Sequence, residues 1–378
     1  MKDQKKITGV RIGTAVISLC LLGMISLASG YAENGWKQVL GPRTWSFPKD
    51  HGAHPEYRTE WWYFTGNLAD EHASRFGYQL TFFRQGMRRQ LPRPSGPWDI
   101  RDIYMAHFAV TDAAHQKFRA CDRLSRSGPG LAGASLDGMD VWLLDWRAKM
   151  EDSRIHLYAR ESGMALDMRL VSQKPGVIHG KNGFSRKGPA PGQASYYLSM
   201  TDLETQGRIR LPGSGPFISV RGISWFDHEF GSNQLAAGQK GWDWFGLHLS
   251  DGRDLMVYFL RRNGGQIEPA SSGTLVEPDG SQLYLDLSAI DLSILEKWKS
   301  PRSKGVYPNR WRLRIPVAGI DLSLAPWVAD QELVTDNSTG VIYWEGAVGG
   351  EGISQGQSVS CTGYVEMTGY AGSMEGIF

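Results

Sequence analysis

The residues best suited to chemistry lie in the run Gly222-Ile223-Ser224-Trp225-Phe226-Asp227-His228-Glu229-Phe230-Gly231. An extended chain repeats its side-chain direction every two residues. Trp225, Asp227 and Glu229 would then share one face, and Phe226, His228 and Phe230 the other. Burial and a like-charged neighbour each raise a carboxyl pKa, which would keep one of these acids protonated near neutral pH and able to act as a general acid. The same residues also permit a structural reading, an ion pair with Arg58, Arg84 or Arg221.

A second cluster is Asp50-His51-Gly52-Ala53-His54-Pro55-Glu56, with Glu60 just beyond it and His107 on a later alternating segment. Three histidines and several acids invite a zinc reading. His51 and His54 fall in a Gly/Pro loop rather than on one helix face, and no cysteine joins them, so hydrogen-bonded histidines and no metal are expected. Gly352-Ile353-Ser354-Gln355-Gly356 matches the G-x-S-x-G pattern of hydrolase nucleophiles, which works on a strand-to-helix turn. Here it sits between two strand-like runs, and with 46 glycines a chance match is the better account. The sequence holds no phosphate loop, dinucleotide fingerprint or EF-hand pattern, and no cofactor is expected.

The elements that must position these residues are strands. The 378 residues include 46 Gly, 14 Trp, 14 Tyr and 14 Phe, a balance of turn formers and strand-favouring aromatics that favours β-structure over an all-α bundle. Short alternating segments recur, such as Tyr78, Leu80 and Phe82 against Gln79, Thr81 and Phe83. Residues 255–260 are apolar on both faces, as suits a barrel wall with an apolar or filled lumen. Helical periodicity is weak, and 286–298 is the best helix candidate. Trp61-Trp62-Tyr63-Phe64-Thr65-Gly66-Asn67-Leu68 is echoed by Trp242-Asp243-Trp244-Phe245-Gly246-Leu247-His248-Leu249 about 180 residues later, each followed by a turn and a returning strand. Two β-domains built alike are expected, 33–220 and 221–378, with a seam near residues 211–240. The Pro-containing segments 85–100 and 172–195 read as long loops over a barrel mouth.

Basic residues Lys2, Lys5, Lys6 and Arg11 precede an uncharged apolar run from Ile12 to Ala28, and Gly30 and Ala32 supply small residues before a cut after Ala32. That pattern predicts a signal peptide over 1–32 and a periplasmic or secreted protein. Its removal takes away four basic residues and one acid, which moves the net charge from +2 to −1. Neutrality of this kind argues against a nucleic-acid partner, so the aromatic runs favour an apolar ligand over base stacking. Cys121 and Cys361 would pair in an oxidising compartment or remain two buried thiols.

Several motifs in order resemble the carotenoid 1,2-hydratase family, which includes hydroxyneurosporene synthases and AttH-type secreted proteins labelled predicted hydrolases. They are Glu60 to Leu68, Ser195-Tyr196-Tyr197-Leu198-Ser199, Trp225 to Glu229, Gly241 to Phe245, Tyr307 to Trp311, Tyr343-Trp344-Glu345-Gly346 and Gly363 to Tyr370. The resemblance implies an all-β fold of two lipocalin-like (calycin) β-barrels in tandem. It also implies a proton donor at Asp227, helped by Glu229 or His228, that protonates a carbon-carbon double bond before water adds. Trp225 stands where the hydratase branch carries Tyr, which places the chain nearer the AttH-type branch. The expected ligand wall comprises Trp61, Trp62 and Tyr63 from the first half. Tyr197, Trp225, Trp242 and Trp244 complete it. The expected partner is an apolar, isoprenoid or lipid-like molecule. Besides an acid-catalysed hydratase, the resemblance allows a non-catalytic carrier serving a membrane export system, and a secreted hydrolase.

Overall fold

The computed structural model describes residues 35–90, 96, 98–213, 215–233 and 235–374. The signal-peptide expectation over 1–32 lies outside them. Among the described residues antiparallel strands form one sheet of 13 and one of 10. Helical structure among the described residues is limited to the 3-10 turns Lys49–His51, Leu287–Ala289 and Pro316–Ala318. None is long or apolar enough to cross a membrane.

In the first sheet Thr59–Ala69 sits between Arg75–Gly86 and Ile218–Gly231, and Ala194–Arg210 pairs on the far side of Ile218–Gly231. The second sheet repeats this plan. Gln239–Leu249 lies between Asp254–Arg262 and Gln357–Met367, with Ile342–Ser354 beyond. Each sheet therefore pairs its opening strand both with its hairpin partner and with the sheet's last strand, and the echoed Trp-rich segments are those opening strands. The first sheet curls until Asp102–Asp112 and Lys117–Arg126 approach Asp140–Leu143, which nearly closes a barrel; the second forms a half-barrel. This is the architecture of two lipocalin-like units in tandem.

Two expectations are corrected. Residues 286–298 do not form a helix. Asp286 caps a single 3-10 turn by accepting from the Ser288 and Ala289 amides, and Asp291–Lys299 is a strand because Val306–Ile315 supplies its ladder partners. The division at 220/221 also moves. Ile218–Gly231 completes the first sheet, so the changeover falls between Gly231 and Gln239. The strands before and after the Gly/Pro stretch, Ala194–Arg210 and Ile218–Gly231, pair with each other in the first sheet.

Alternation along the central strands serves two burials at once. Trp62, Phe64, Leu80, Phe82 and Phe226 face the core of the barrel, and Phe245, Val257, Trp311, Val348 and Val365 face that of the half-barrel. The opposite faces of the same strands bring Tyr63, Tyr197, Trp225, Trp244, Tyr258 and Tyr364 together between the sheets. This is why 255–260 is apolar on both sides. Polar ties cross the same junction, including Lys174 Nζ to Asp254 Oδ2 at 2.7 Å and Thr111 Oγ1 to Gln331 Oε1 at 2.6 Å. Cys121 and Cys361 are separate thiols, one in each sheet, and burial pushes both up to about 12.

Candidate functional site

Trp225, Asp227 and Glu229 project from Ile218–Gly231 into the gap between the sheets rather than into a barrel interior. Register decides their neighbours. Trp61 lies opposite Glu229 and Tyr63 opposite Asp227 on one flank; Tyr197 lies opposite Glu229 and Ser199 opposite Asp227 on the other. The second sheet adds Trp242, Trp244, Tyr258, Glu345 and Glu366, and the group encloses a cavity of about 80 Å³. Asp227, Glu229 and Glu345 are buried in its lining, whereas Trp61, Phe83, Leu235 and Trp242 are half-buried and mark the approach to it.

Asp227 accepts three hydrogen bonds. The Tyr197 hydroxyl donates to Oδ2 at 2.6 Å, the Trp225 indole N–H to Oδ1 at 2.6 Å, and the Ser199 hydroxyl also to Oδ1. These donors favour the carboxylate. Burial outweighs them, and with Glu229 nearby it pushes Asp227 up to about 7. An acid poised at that value can both give and regain a proton near neutral pH. Its partners are themselves fixed: Trp244 Nε1 donates to the Tyr197 oxygen at 3.0 Å, and His179 Nε2 lies 2.6 Å from Ser199 Oγ while its Nδ1 meets Thr274 Oγ1 at 2.9 Å. Burial pushes His179 down to about 3, which leaves the ring neutral.

Among the described residues the hydrogen-bond partners of Asp227 are Tyr197, Ser199 and Trp225, and none is an arginine. Arg84, a named candidate, instead bridges Glu60 and Asp102. Glu229 has its own counter-charge in Lys187, whose Nζ lies 2.9 Å from Oε1, and it accepts from the Ser195 hydroxyl. Lys187 comes from the long 172–195 segment. Burial opposes its charge, but Glu229 and the surrounding acidic groups hold its pKa above the ordinary lysine value.

Of the residues expected at the site, Asp227, Glu229, Trp61, Tyr63, Tyr197, Trp242 and Trp244 line the cavity, and Trp225 reaches it through its bond to Asp227. Trp62 and His228 do not. Period two turns both to the barrel side, where Trp62 donates to the His51 carbonyl at 3.1 Å and His228 Nε2 meets Glu60 Oε1 at 2.9 Å. The expected help of His228 to Asp227 is therefore corrected. His54, Glu60 and His228 bring potential metal-ligating atoms within 4.8 Å of one another, but the Arg84 guanidinium already donates to Glu60 Oε2 at 3.1 Å and supplies the positive charge there. Ser354 ends a strand at a hairpin turn and donates to Asp251, which is not the setting of a nucleophile.

The sequence reading missed Lys187, His179, Glu345 and Glu366 as site residues. The two glutamates were findable, because Tyr343 and Glu345 alternate with core-facing Trp344, and Tyr364 and Glu366 with core-facing Val365, as Asp227 alternates with Phe226. Lys187 and His179 stand in an irregular segment with no period to reveal them.

A nearly closed barrel and a half-barrel joined over an acid-bearing aromatic cavity define a tandem lipocalin-like protein. The chain belongs to the AttH-like family, whose profile matches residues 38–370. It is similar to a crystal structure from Nitrosomonas europaea assigned as an AttH, with 32% identity, a TM-score of 0.78, and coverage of 88% of this chain and 99% of that one. The fold is also that of kievitone hydratase from Nectria haematococca, at 16% identity and a TM-score of 0.67, covering 90% of this chain and 98% of that one. No curated protein matches the chain in sequence.

Proposed function

We propose that this protein binds an apolar, isoprenoid or lipid-like molecule between its two sheets and acts on it by acid catalysis, as in hydration of a carbon-carbon double bond. The observation that carries the reading is Asp227, a buried acid raised to about 7 and aimed by Tyr197, Trp225 and Ser199 into an aromatic cavity. Asp227 gives its proton to one alkene carbon, the ring faces of Trp61 and Trp244 stabilise the resulting cation, and water adds to that cation. The proton released by the added water returns to a carboxylate, so the net change is addition of one water. A protein of the same fold bears the name of a hydratase, which is compatible with this chemistry. The basic and apolar pattern of residues 1–32 supports action outside the cytoplasm.

Native mass spectrometry of the purified protein would identify the molecule that accompanies it. On that molecule Asp227→Asn is expected to lower turnover at least about a hundredfold, the usual contribution of a positioned acid, with binding retained. Unchanged turnover would end the proposal.

A further inference from the structure

Acidic residues outnumber basic ones in the cavity lining. Its acids are Asp227, Glu229, Glu345 and Glu366, and Lys187 is the single cation among its described lining residues. Lys187 is committed to Glu229. Glu345 and Glu366 stand directly opposite each other on adjacent strands, a like-charge pairing that a sheet ordinarily avoids. Trp242 Nε1 donates to Glu366 Oε2 at 2.7 Å. Glu345 is only 1% exposed and neither of its carboxylate oxygens makes a well-formed hydrogen bond; the Tyr63 and Tyr343 hydroxyls beside it favour its charged form, but burial and the neighbouring Glu366 oppose it more strongly. A buried carboxyl supported so weakly is expensive to ionise, and a positive charge brought beside it would stabilise the charged form.

The walls repeat the same preference. Trp61, Trp242 and Trp244 line the cavity with rings, and ring faces attract positive charge. Lys187 already uses this device, with its ammonium 4.2 Å from the Tyr258 ring centre and 5.1 Å from that of Tyr197. A volume of about 80 Å³ suits a compact head group, with the rest of a larger molecule lying toward the half-buried side.

We propose that the cavity binds the cationic head of an amphiphile, a protonated amine or quaternary ammonium on an apolar tail, with Glu345 and Glu366 as its counter-charges. This goes beyond the acid-catalysis reading and does not require Asp227 to react. The groups facing the pair are Tyr63, Tyr343 and Tyr364 around Glu345, and Trp242, Asp227 and Glu229 around Glu366. Lys187 is engaged with Glu229. Burial and mutual repulsion hold Glu345 well above the usual carboxyl range, and burial pushes Glu366 up to about 7, so the head group must displace protons to bind.

The test uses the full chain and three probes that share a tail: octyltrimethylammonium, 1-octanol and octanoate. Tryptophan fluorescence and titration calorimetry would be recorded at pH 8 and pH 5.5. The ammonium is expected to bind at least tenfold tighter than either comparator at pH 8, and to lose most of that advantage at pH 5.5. Glu345→Gln with Glu366→Gln should abolish the preference while leaving octanol binding in place. Equal or tighter binding of octanol by the wild-type protein would overturn the proposal, as would a preference that survives the double variant. Ammonium selectivity with no effect of Asp227→Asn on turnover would sink only the catalytic reading. Loss of turnover in Asp227→Asn without ammonium selectivity would sink only this one.

Discussion

Asp227 shows how one strand position acquires chemistry from its surroundings. Three donors stabilise its charged form and burial opposes all three, leaving it near 7 rather than the ordinary 3.8. A carboxyl raised on folding holds its proton more tightly in the native state. The stability it contributes is complete below pH 3.8 and is lost as the pH rises through about 7. Asparagine has no such dependence. The stability difference between Asp227→Asn and the wild type should therefore move in the variant's favour by on the order of a few kcal/mol between pH 4 and pH 8. Denaturant midpoints at the two pH values measure this, and a difference that does not change with pH would show that the acid is not raised. Half of this residue was legible beforehand: Trp225, Phe226 and Phe230 announced burial, but the donors Tyr197 and Ser199 come from a strand some thirty residues away and Lys187 from a loop.

At the scale of elements, Arg84 on Arg75–Gly86 fastens the 50–58 loop to the first barrel. Its Nε donates to Glu60 Oε2 at 3.1 Å and Nη1 to Asp102 Oδ1 at 3.0 Å. Nη2 reaches the carbonyls of His54 at 3.1 Å and Tyr57 at 2.8 Å. The side chain is 1% exposed. Arg84→Met would leave Glu60 and Asp102 buried without their cation and is expected to cost about 3–5 kcal/mol. Arg84→Lys should restore little, because a single ammonium cannot span four acceptors held in a fork. Urea denaturation checks both variants, and a loss under about 1 kcal/mol for Arg84→Met would show that the network is dispensable.

The whole molecule depends on the junction between its sheets, since the site exists only where the two faces meet. Asp254 of the second sheet accepts from Lys174 Nζ at 2.7 Å and from the Thr201 hydroxyl at 2.8 Å, both from the first-sheet part of the chain, and lies 2.9 Å from His248 Nδ1. Lys174 is buried with it. The two sheets should accordingly melt in one calorimetric transition, and Asp254→Ala should lower Tm by at least about 5 °C by leaving the ammonium only the more distant Asp202 at 3.9 Å as counter-charge. Two resolved transitions in the wild-type protein would show that the halves are stable apart.

The pattern of residues along the chain determines the strands, their hairpins and the duplicated plan. Alternation and turn residues are local, and Trp61 to Leu68 with Trp242 to Leu249 already carry the opening strand of each sheet. The same period separates Asp227 and Glu229 from His228. What it cannot state is which face meets which. Both faces of these strands are apolar, so pattern alone does not tell a barrel core from an inter-sheet junction. Local pattern does not place the last strand of the first sheet, because its pairing with Thr59–Ala69 spans more than 150 residues. Only the tertiary structure decided that Glu345 and Glu366, over 110 residues from Asp227, would share its cavity, and that Lys187 would neutralise Glu229 alone. Those contacts arise from packing one sheet on another, and no local propensity encodes them.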